Sequence, residues 1–100
     1  MPEGNVYELK IEWDENKNSI NKRKHKISFE EAKTVFYDDN AILFDDPDHS
    51  IYEERFLILG FTNTSRICIV SHCYRDSEGL IRIISEGSAT KKERRYYEEN

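Results

Sequence analysis

Three arginines stand in or beside apolar runs of this sequence. Arg55 heads one run, Arg75 ends the next, and Arg82 sits inside the last, LIRIIS at 80–85. A guanidinium keeps its charge throughout a reaction and can hold a phosphate through two parallel bonds. Such a cation on an open sheet face would make a phosphate clamp in a sheet-floored groove. Two groups could move a proton there: Glu54, beside Arg55, and His25, within RKHKIS. Each residue also has a plainer use. Arg82 could pair with a cross-strand acid. His25 could meet the dipole at a helix C-terminus. Glu54 could be a surface acid beside an ion pair.

Alternation decides which side chains meet. Ile81, Ile83 and Ser85 should share one strand face, with Leu80, Arg82 and Ile84 on the other. On the preceding strand Arg66, Cys68, Val70, His72 and Tyr74 share a face, so His72 or Tyr74 could neighbour Arg82. Glu54 and Arg55 point oppositely unless a bulge or turn intervenes. DDPDHS at 45–50 offers Asp45, Asp46, Asp48 and His49 as metal ligands, but it matches no known loop spacing. HExxH, P-loop, GxGxxG and GxSxG patterns are absent, which removes most metalloprotease, nucleotide-binding and hydrolase readings. No metal and no cofactor is expected.

The elements that must position these groups follow from periodicity. YELKIEW, 7–13, alternates as a first strand. Asp14 caps a polar helix, ENKNSINKRKH. Ser28 with Glu31 has capping-box spacing and opens a second helix, SFEEAKTVFYD, whose Phe29, Ala32, Val35 and Phe36 form a core-facing stripe. AILFDD, YEERFLILGFT (52–62), RICIVSHCYR (66–75) and LIRIIS (80–85) read as four strands joined by short turns, hence an antiparallel meander. Pro47 ends the first of them. A Glu-Gly-Ser break should end the last, and Thr90 with Glu93 opens a final helix, KKERRYYEEN. The order is β-α-α-β-β-β-β-α, an α+β domain over 7–100 with residues 1–6 frayed.

One hundred residues with 37% hydrophobic and 12% aromatic content can bury a core without disulfides or a structural metal. Cys68 and Cys73 lie five apart in one strand, on opposite faces, and should be free thiols. MPEGNVYELK lacks the basic start and apolar stretch of a signal peptide, and no run approaches the ~20 residues of a membrane span. The expected compartment is the cytoplasm. The net charge of −5 argues against a general nucleic-acid binder, but the charge is polarised. Lys17, Lys22, Arg23, Lys24 and Lys26 form a basic stretch free of acids. Asp38, Asp39, Asp45, Asp46, Asp48, Glu53 and Glu54 form an acidic stretch free of Lys and Arg. RNA or another anion could meet the first and a basic partner the second, or both could be solvated surface.

Several pieces, in order, resemble the BrnT family of bacterial type II toxin–antitoxin toxins, within the older DUF497 grouping. They are EWDENK at 12–17, Asn21 to His25, ISFEEA at 27–32, Val35-Phe36, DDPDHS, EERF, His72 to Arg75, IRIIS, and AT-x-x-ER-x-Y-Y at 89–97. The resemblance spans about residues 7 to 98. It implies a RelE-like fold and a metal-independent endoribonuclease that arrests growth. It also implies a DNA-binding antitoxin, BrnA-like, that neutralises the toxin in a hetero-oligomer and with it represses the shared operon.

The implied chemistry needs a base for the ribose 2′-hydroxyl, cations for the charge growing on phosphorus-bound oxygens, and an acid for the leaving 5′-oxygen. Arg82, Arg75 and Arg55 are the candidate cations, and Glu54 or His25 the base. Lys24, Trp13 and Tyr97 are candidate RNA contacts, although Trp13 could equally be core. Family members commonly read IS-A-R-x-AT after the last strand. Here Glu86 replaces the alanine and Gly87 the arginine, so a cation is lost and an acid added. Two other readings stand beside an active ribonuclease. One is a weakened toxin-fold module that binds antitoxin and co-represses. The other is a small interaction domain whose partner meets the acidic stretch.

Overall fold

Asp14 starts the first helix as its type requires: its carboxylate accepts from the main-chain N–H of Asn16 at 2.8 Å and of Lys17 at 3.4 Å. The computed structural model describes residues 9–76 and 79–100. The proposed fray of 1–6, the start of the first strand at Tyr7-Glu8, and Ser77-Glu78 of one turn lie outside them. The elements are β1 (Ile11–Glu12), α1 (Glu15–His25), α2 (Phe29–Ala32), β2 (Ile42–Asp45), β3 (Phe56–Phe61), β4 (Ile67–Tyr74), β5 (Ile81–Ser88) and α3 (Lys91–Glu98), with 3-10 turns at Lys33–Tyr37 and Pro47–His49.

The sheet order is β1-β5-β4-β3-β2. β2 to β5 form the expected antiparallel meander. β1 corrects the picture of a purely antiparallel sheet. It runs parallel to β5, pairing Ile11 with Ile81 and Glu12 with Arg82, so the sheet is mixed. The long path from β1 through the helices and the meander allows this, because a parallel pair needs a crossover rather than a hairpin. Among the described residues β1 is also shorter than expected: Leu9 and Lys10 fall outside it, and at the other end the Asp14 cap commits the chain to α1.

A second correction concerns β5. It does not break at Glu86-Gly87-Ser88 but continues to Ser88. The pairing explains how. Ser85 faces Ser71 and Ile83 faces His72, so Ile84 is an extra, bulged residue. Beyond the bulge the alternation is rephased. Ile81, Ile83, Glu86 and Ser88 share a face with Tyr74, His72, Val70 and Cys68. Arg82, Ser85 and Gly87 share the other with Cys73, Ser71 and Ile69. Arg82 therefore does not neighbour His72 or Tyr74, and Ser85 joins its face.

The first of these faces is covered. Ile27, Phe29, Ala32, Val35, Ile58, Cys68, Val70 and Ile83 form the main core between sheet and helices. α2 ends early and tightens into a 3-10 turn, where the Thr34 hydroxyl donates to the Glu31 carbonyl at 2.6 Å. The Ser28 box is half made: Ser28 accepts from the Glu31 N–H, while the Glu31 carboxylate turns to Arg66, Thr62 and Thr64. The Thr90–Glu93 box of α3 is complete. α1 buries one residue, Asn18, and is tied down by amides. Asn18 Nδ2 donates to Glu15 and Glu30, and its Oδ1 accepts from the Phe29 N–H at 2.8 Å. A helix without an apolar stripe needs such bonds to stay in place.

The second face, here the groove face, carries α3 over part of its breadth. Leu59, Ile67 and Tyr97 form a small core there. Gly60 lies opposite Cys68 on the covered face. A Cβ on it would come within 2.9 Å of the Asp38 carboxylate and 3.1 Å of Val35, so only glycine lets that turn approach β3. Both cysteines are buried and free, and they point to opposite faces as expected. Among the described residues no helix is long and apolar enough to cross a membrane.

Candidate active site

The groove face brings the three candidate arginines together at one end. Phe56 stands opposite His72, so Arg55, one rung further, comes level with Cys73. Cys73 faces Arg82 on β5, and Arg82 faces Glu12 on β1. Arg75, two residues past Cys73, projects to the same side by alternation.

Acids hold these cations in place. Arg82 Nη1 lies 2.8 Å from Glu12 Oε2, the cross-strand pair that the plainer reading expected. Glu53 bridges the other two, 3.3 Å from Arg75 Nη1 and 3.6 Å from Arg55 Nε. The latter distance is an electrostatic contact, too long for a hydrogen bond. Arg55 Nε is buried without a hydrogen-bond partner among the described residues, a donor that an incoming acceptor could use. The Cys73 thiol is buried among them. Burial raises its pKa, and Glu53 reinforces the rise against Arg75 and Arg55. It stays protonated at neutral pH and is no thiolate nucleophile.

Glu53 is the residue that sequence reasoning missed. Its signal was in EER: residues two apart can share a side, so Glu53 rather than Glu54 accompanies Arg55. Glu54 is exposed and makes no hydrogen bond or ion pair with any described residue. It sits in the segment leading into β3, next to the cation cluster in sequence.

His25 and Lys24 end α1 and are exposed, at the other end of β5. A Cβ on Gly87 would lie 3.7 Å from His25 Nδ1, ordinary contact, so a side chain at 87 would stand against the imidazole. Ser71 and Ser85 pair between the two ends. Glu86 does not add its charge to this face. The bulge turns it inward, where the Asn21 amide and the Cys68 thiol meet its carboxylate at 2.6 and 3.7 Å. Burial drives its pKa up to about 7.

Trp13 and Tyr97 are not brought to the arginines. Trp13 packs edge-on to Phe29 with ring centres 6.1 Å apart, bonds to Glu15 through Nε1, and has Lys33 Nζ over its ring. Tyr97 is buried at the far end of β3, edge-on to Phe61, and its hydroxyl donates to Asp38 at 2.5 Å. Burial and the Asp38 carboxylate push the Tyr97 pKa up to about 12. Asp38 itself is lowered: burial would raise it, but bonds from Tyr97, Phe61 and Asn40 outweigh burial. His72 is fully buried against Phe36 and Phe56, and burial lowers its pKa, so it stays neutral.

In the acidic turn His49 Nδ1 contacts the Asp46 carboxylate at 3.1 Å. Among the described residues no three His, Cys, Asp or Glu side chains are placed to hold a metal ion.

A family model described as "Ribonuclease toxin, BrnT, of type II toxin-antitoxin system" matches residues 13–93. That span takes in Arg55, Arg75, Arg82, Glu53, Glu54 and His25 and leaves Tyr97 outside. Among solved structures, the chain is similar to the crystal structure of the Brucella abortus ribonuclease toxin, BrnT. The two share 26% identity at a TM-score of 0.62, over 84% of this chain and all of that one. The curated proteins hold no match. The family model covers most of the chain, and the solved toxin shares its α+β architecture. This chain therefore belongs to the BrnT family of ribonuclease toxins of type II toxin–antitoxin systems.

Proposed function

We propose that the chain is a metal-independent endoribonuclease that arrests growth from the cytoplasm and is silenced by a DNA-binding, BrnA-like antitoxin. The observation that carries this reading is the grouping of Arg55, Arg75 and Arg82 around Cys73 on an open sheet face. The β-α-α-β-β-β-β-α order of residues 7–100 supports a RelE-like domain.

The cleavage runs as follows. A phosphodiester enters the cluster and takes the guanidiniums of Arg55 and Arg75 from Glu53, and that of Arg82 from Glu12. The carboxylate of Glu53 or Glu54 accepts the proton of the adjacent ribose 2′-hydroxyl. The 2′-oxygen bonds to phosphorus while the bond to the 5′-oxygen breaks. The leaving oxygen receives a proton from the carboxyl or from water. The products are a 2′,3′-cyclic phosphate and a 5′-hydroxyl. The arginines oppose the negative charge that grows on the phosphorus-bound oxygens, which is where such donors have most effect. No step requires a metal or cofactor. Lys24 and its basic neighbours on α1 offer charge for the flanking RNA backbone.

A second reading is favoured by one observation. Gly87 removes the arginine that the family pattern places beside His25, which suits a weakened toxin kept for antitoxin binding and co-repression. RNA incubated with the purified chain in EDTA separates the two, beside Arg82→Ala and Gly87→Arg. Cleavage abolished by Arg82→Ala supports the ribonuclease. Cleavage only by Gly87→Arg supports the weakened module. If no variant cuts, the enzymatic reading falls.

A further inference from the structure

Between α3 and the sheet lies a groove of about 700 Å³. Its floor is apolar, made by Phe44 of β2, Leu57 and Leu59 of β3, and Ile69 of β4. Its helical wall includes Tyr96, with Lys92 and Arg95 among the charges at the rim. The Phe44 and Tyr96 rings lie 5.7 Å apart at 45°, and Tyr96 remains 47% exposed. The volume is within the range of small-ligand sites, about 300–1,000 Å³.

This groove opens onto the same sheet face as the arginine cluster. Leu57 in its floor is two residues past Arg55 and on the same side, roughly 7 Å further along β3. A single-stranded RNA whose phosphate sits at the cluster would reach the groove with a neighbouring nucleoside. The two places divide the polymer by its chemistry. The arginines suit the anionic backbone, and the apolar floor with a half-exposed aromatic edge suits an unstacked base. Asp45, Glu93 and Glu99 also line the rim, which disfavours a second phosphate there. Glu93 is already committed, its carboxylate accepting from the Thr90 N–H at 2.8 Å. Asp45 pairs with Phe56, so alternation turns its side chain to the other face, and Glu99 remains as an acceptor for a base amino group.

We propose that the groove between α3 and the sheet is the base-binding subsite for the nucleotide next to the scissile phosphate, with Tyr96 as its stacking residue. This rests on the ribonuclease reading of the arginine cluster and names how that site chooses its sequence. The phosphate cluster would cut without preference, and the groove would supply the preference.

The test uses the whole chain and short single-stranded RNAs that differ only in the base beside one cleavable linkage. The other linkages carry 2′-O-methyl groups. Binding is read with a fully 2′-O-methylated set carrying 4-thiouridine at the tested base. The native chain should favour some bases, and the thiouridine should cross-link to Tyr96 or its groove neighbours. Tyr96→Ala should flatten the preference by about tenfold, within the range that stacking carries. Arg75→Ala should slow every RNA alike and keep the ranking. Melting curves close to native for both variants exclude unfolding as the cause.

Several results would overturn the subsite. If RNA is bound and cut while Tyr96→Ala keeps the ranking and the cross-links fall elsewhere, the ribonuclease stands and the subsite does not. Loss by Tyr96→Ala of antitoxin capture but not of base preference would make the groove a protein interface instead. If the native chain binds no RNA, the subsite and the ribonuclease reading fall together.

Discussion

Asn21 and Glu86 are joined twice. One amide nitrogen of Asn21 bonds both the main-chain carbonyl of Glu86, at 2.9 Å, and its carboxylate, at 2.6 Å. The bond ties polar α1 to β5 and places an acid in the core. Burial raises the Glu86 pKa from 4.5 to about 7, against Asn21 and Cys68, which lower it. Glu31 adds to the rise and Arg66 opposes it.

The sign of the pH effect follows from that rise. The protonated carboxyl gives its full stability below the unfolded value of 4.5. That stability is lost as pH climbs through about 7. Glu86→Gln removes the charge and keeps an acceptor for Asn21. It should match the native chain near pH 4.5 and exceed it by about 2–3 kcal/mol at pH 8. Urea denaturation at both pH values measures this, and an equal difference at both would refute the buried-charge account.

Glu31 behaves in the opposite direction. Bonds from Arg66 lead the causes that hold its pKa down at about 2, with Thr64 and Thr62 adding to them against burial. Its contribution is present above 4.5 and lost as pH falls toward 2. Glu31→Gln should cost about 2 kcal/mol at pH 7, a figure discounted because Arg66 is partly exposed. The cost should shrink in acid. A penalty unchanged at pH 3 would point to packing rather than charge.

Arg82 is tested best beside its acid. The Arg82–Glu12 pair is partly exposed, so Glu12→Gln should change stability by under ~1 kcal/mol. It should also tighten RNA binding a few-fold by freeing the guanidinium. Arg82→Lys keeps the charge but loses the planar fork, and cleavage should fall roughly 10²-fold. Equal rates for arginine and lysine would leave Arg82 as a structural partner of Glu12.

Gly87→Arg should fold normally. The position has no left-handed φ, and the nearest atoms to a new Cβ, those of His25, are 3.7–3.9 Å away. The variant should melt within about 1 kcal/mol of the native chain and cut RNA at least tenfold faster, a gain within the range for one such donor. Initial rates on one RNA decide it. Tighter binding without faster cutting would make residue 87 an affinity contact.

Most elements were legible because their signals are local. The Asp14 cap, the Thr90–Glu93 box and the apolar runs of β3 and β4 each depend on neighbouring residues alone. The parallel β1 was not legible, since two residues carry no directional signal and the pairing spans the chain. Nor was the bulge, because LIRIISEGS reads the same with or without an extra residue at Ile84. That hidden slip is also why unbroken alternation sets Arg82 on the face of His72 and turns Glu86 toward the arginine cluster. The single helix expected from Ser28 became a short α-helix followed by a 3-10 turn, where the Thr34 hydroxyl bonds the Glu31 carbonyl.

The bulge at Ile84 works as a phase marker for the last strand. Removing that one residue would exchange the two sides of everything beyond it. Glu86 would come out beside the serines, and position 87 would turn into the core. Related chains that differ there by a single insertion or deletion would thus present opposite residues to RNA while keeping nearly the same letters. Length at this point, more than identity, would then decide which of them can cut.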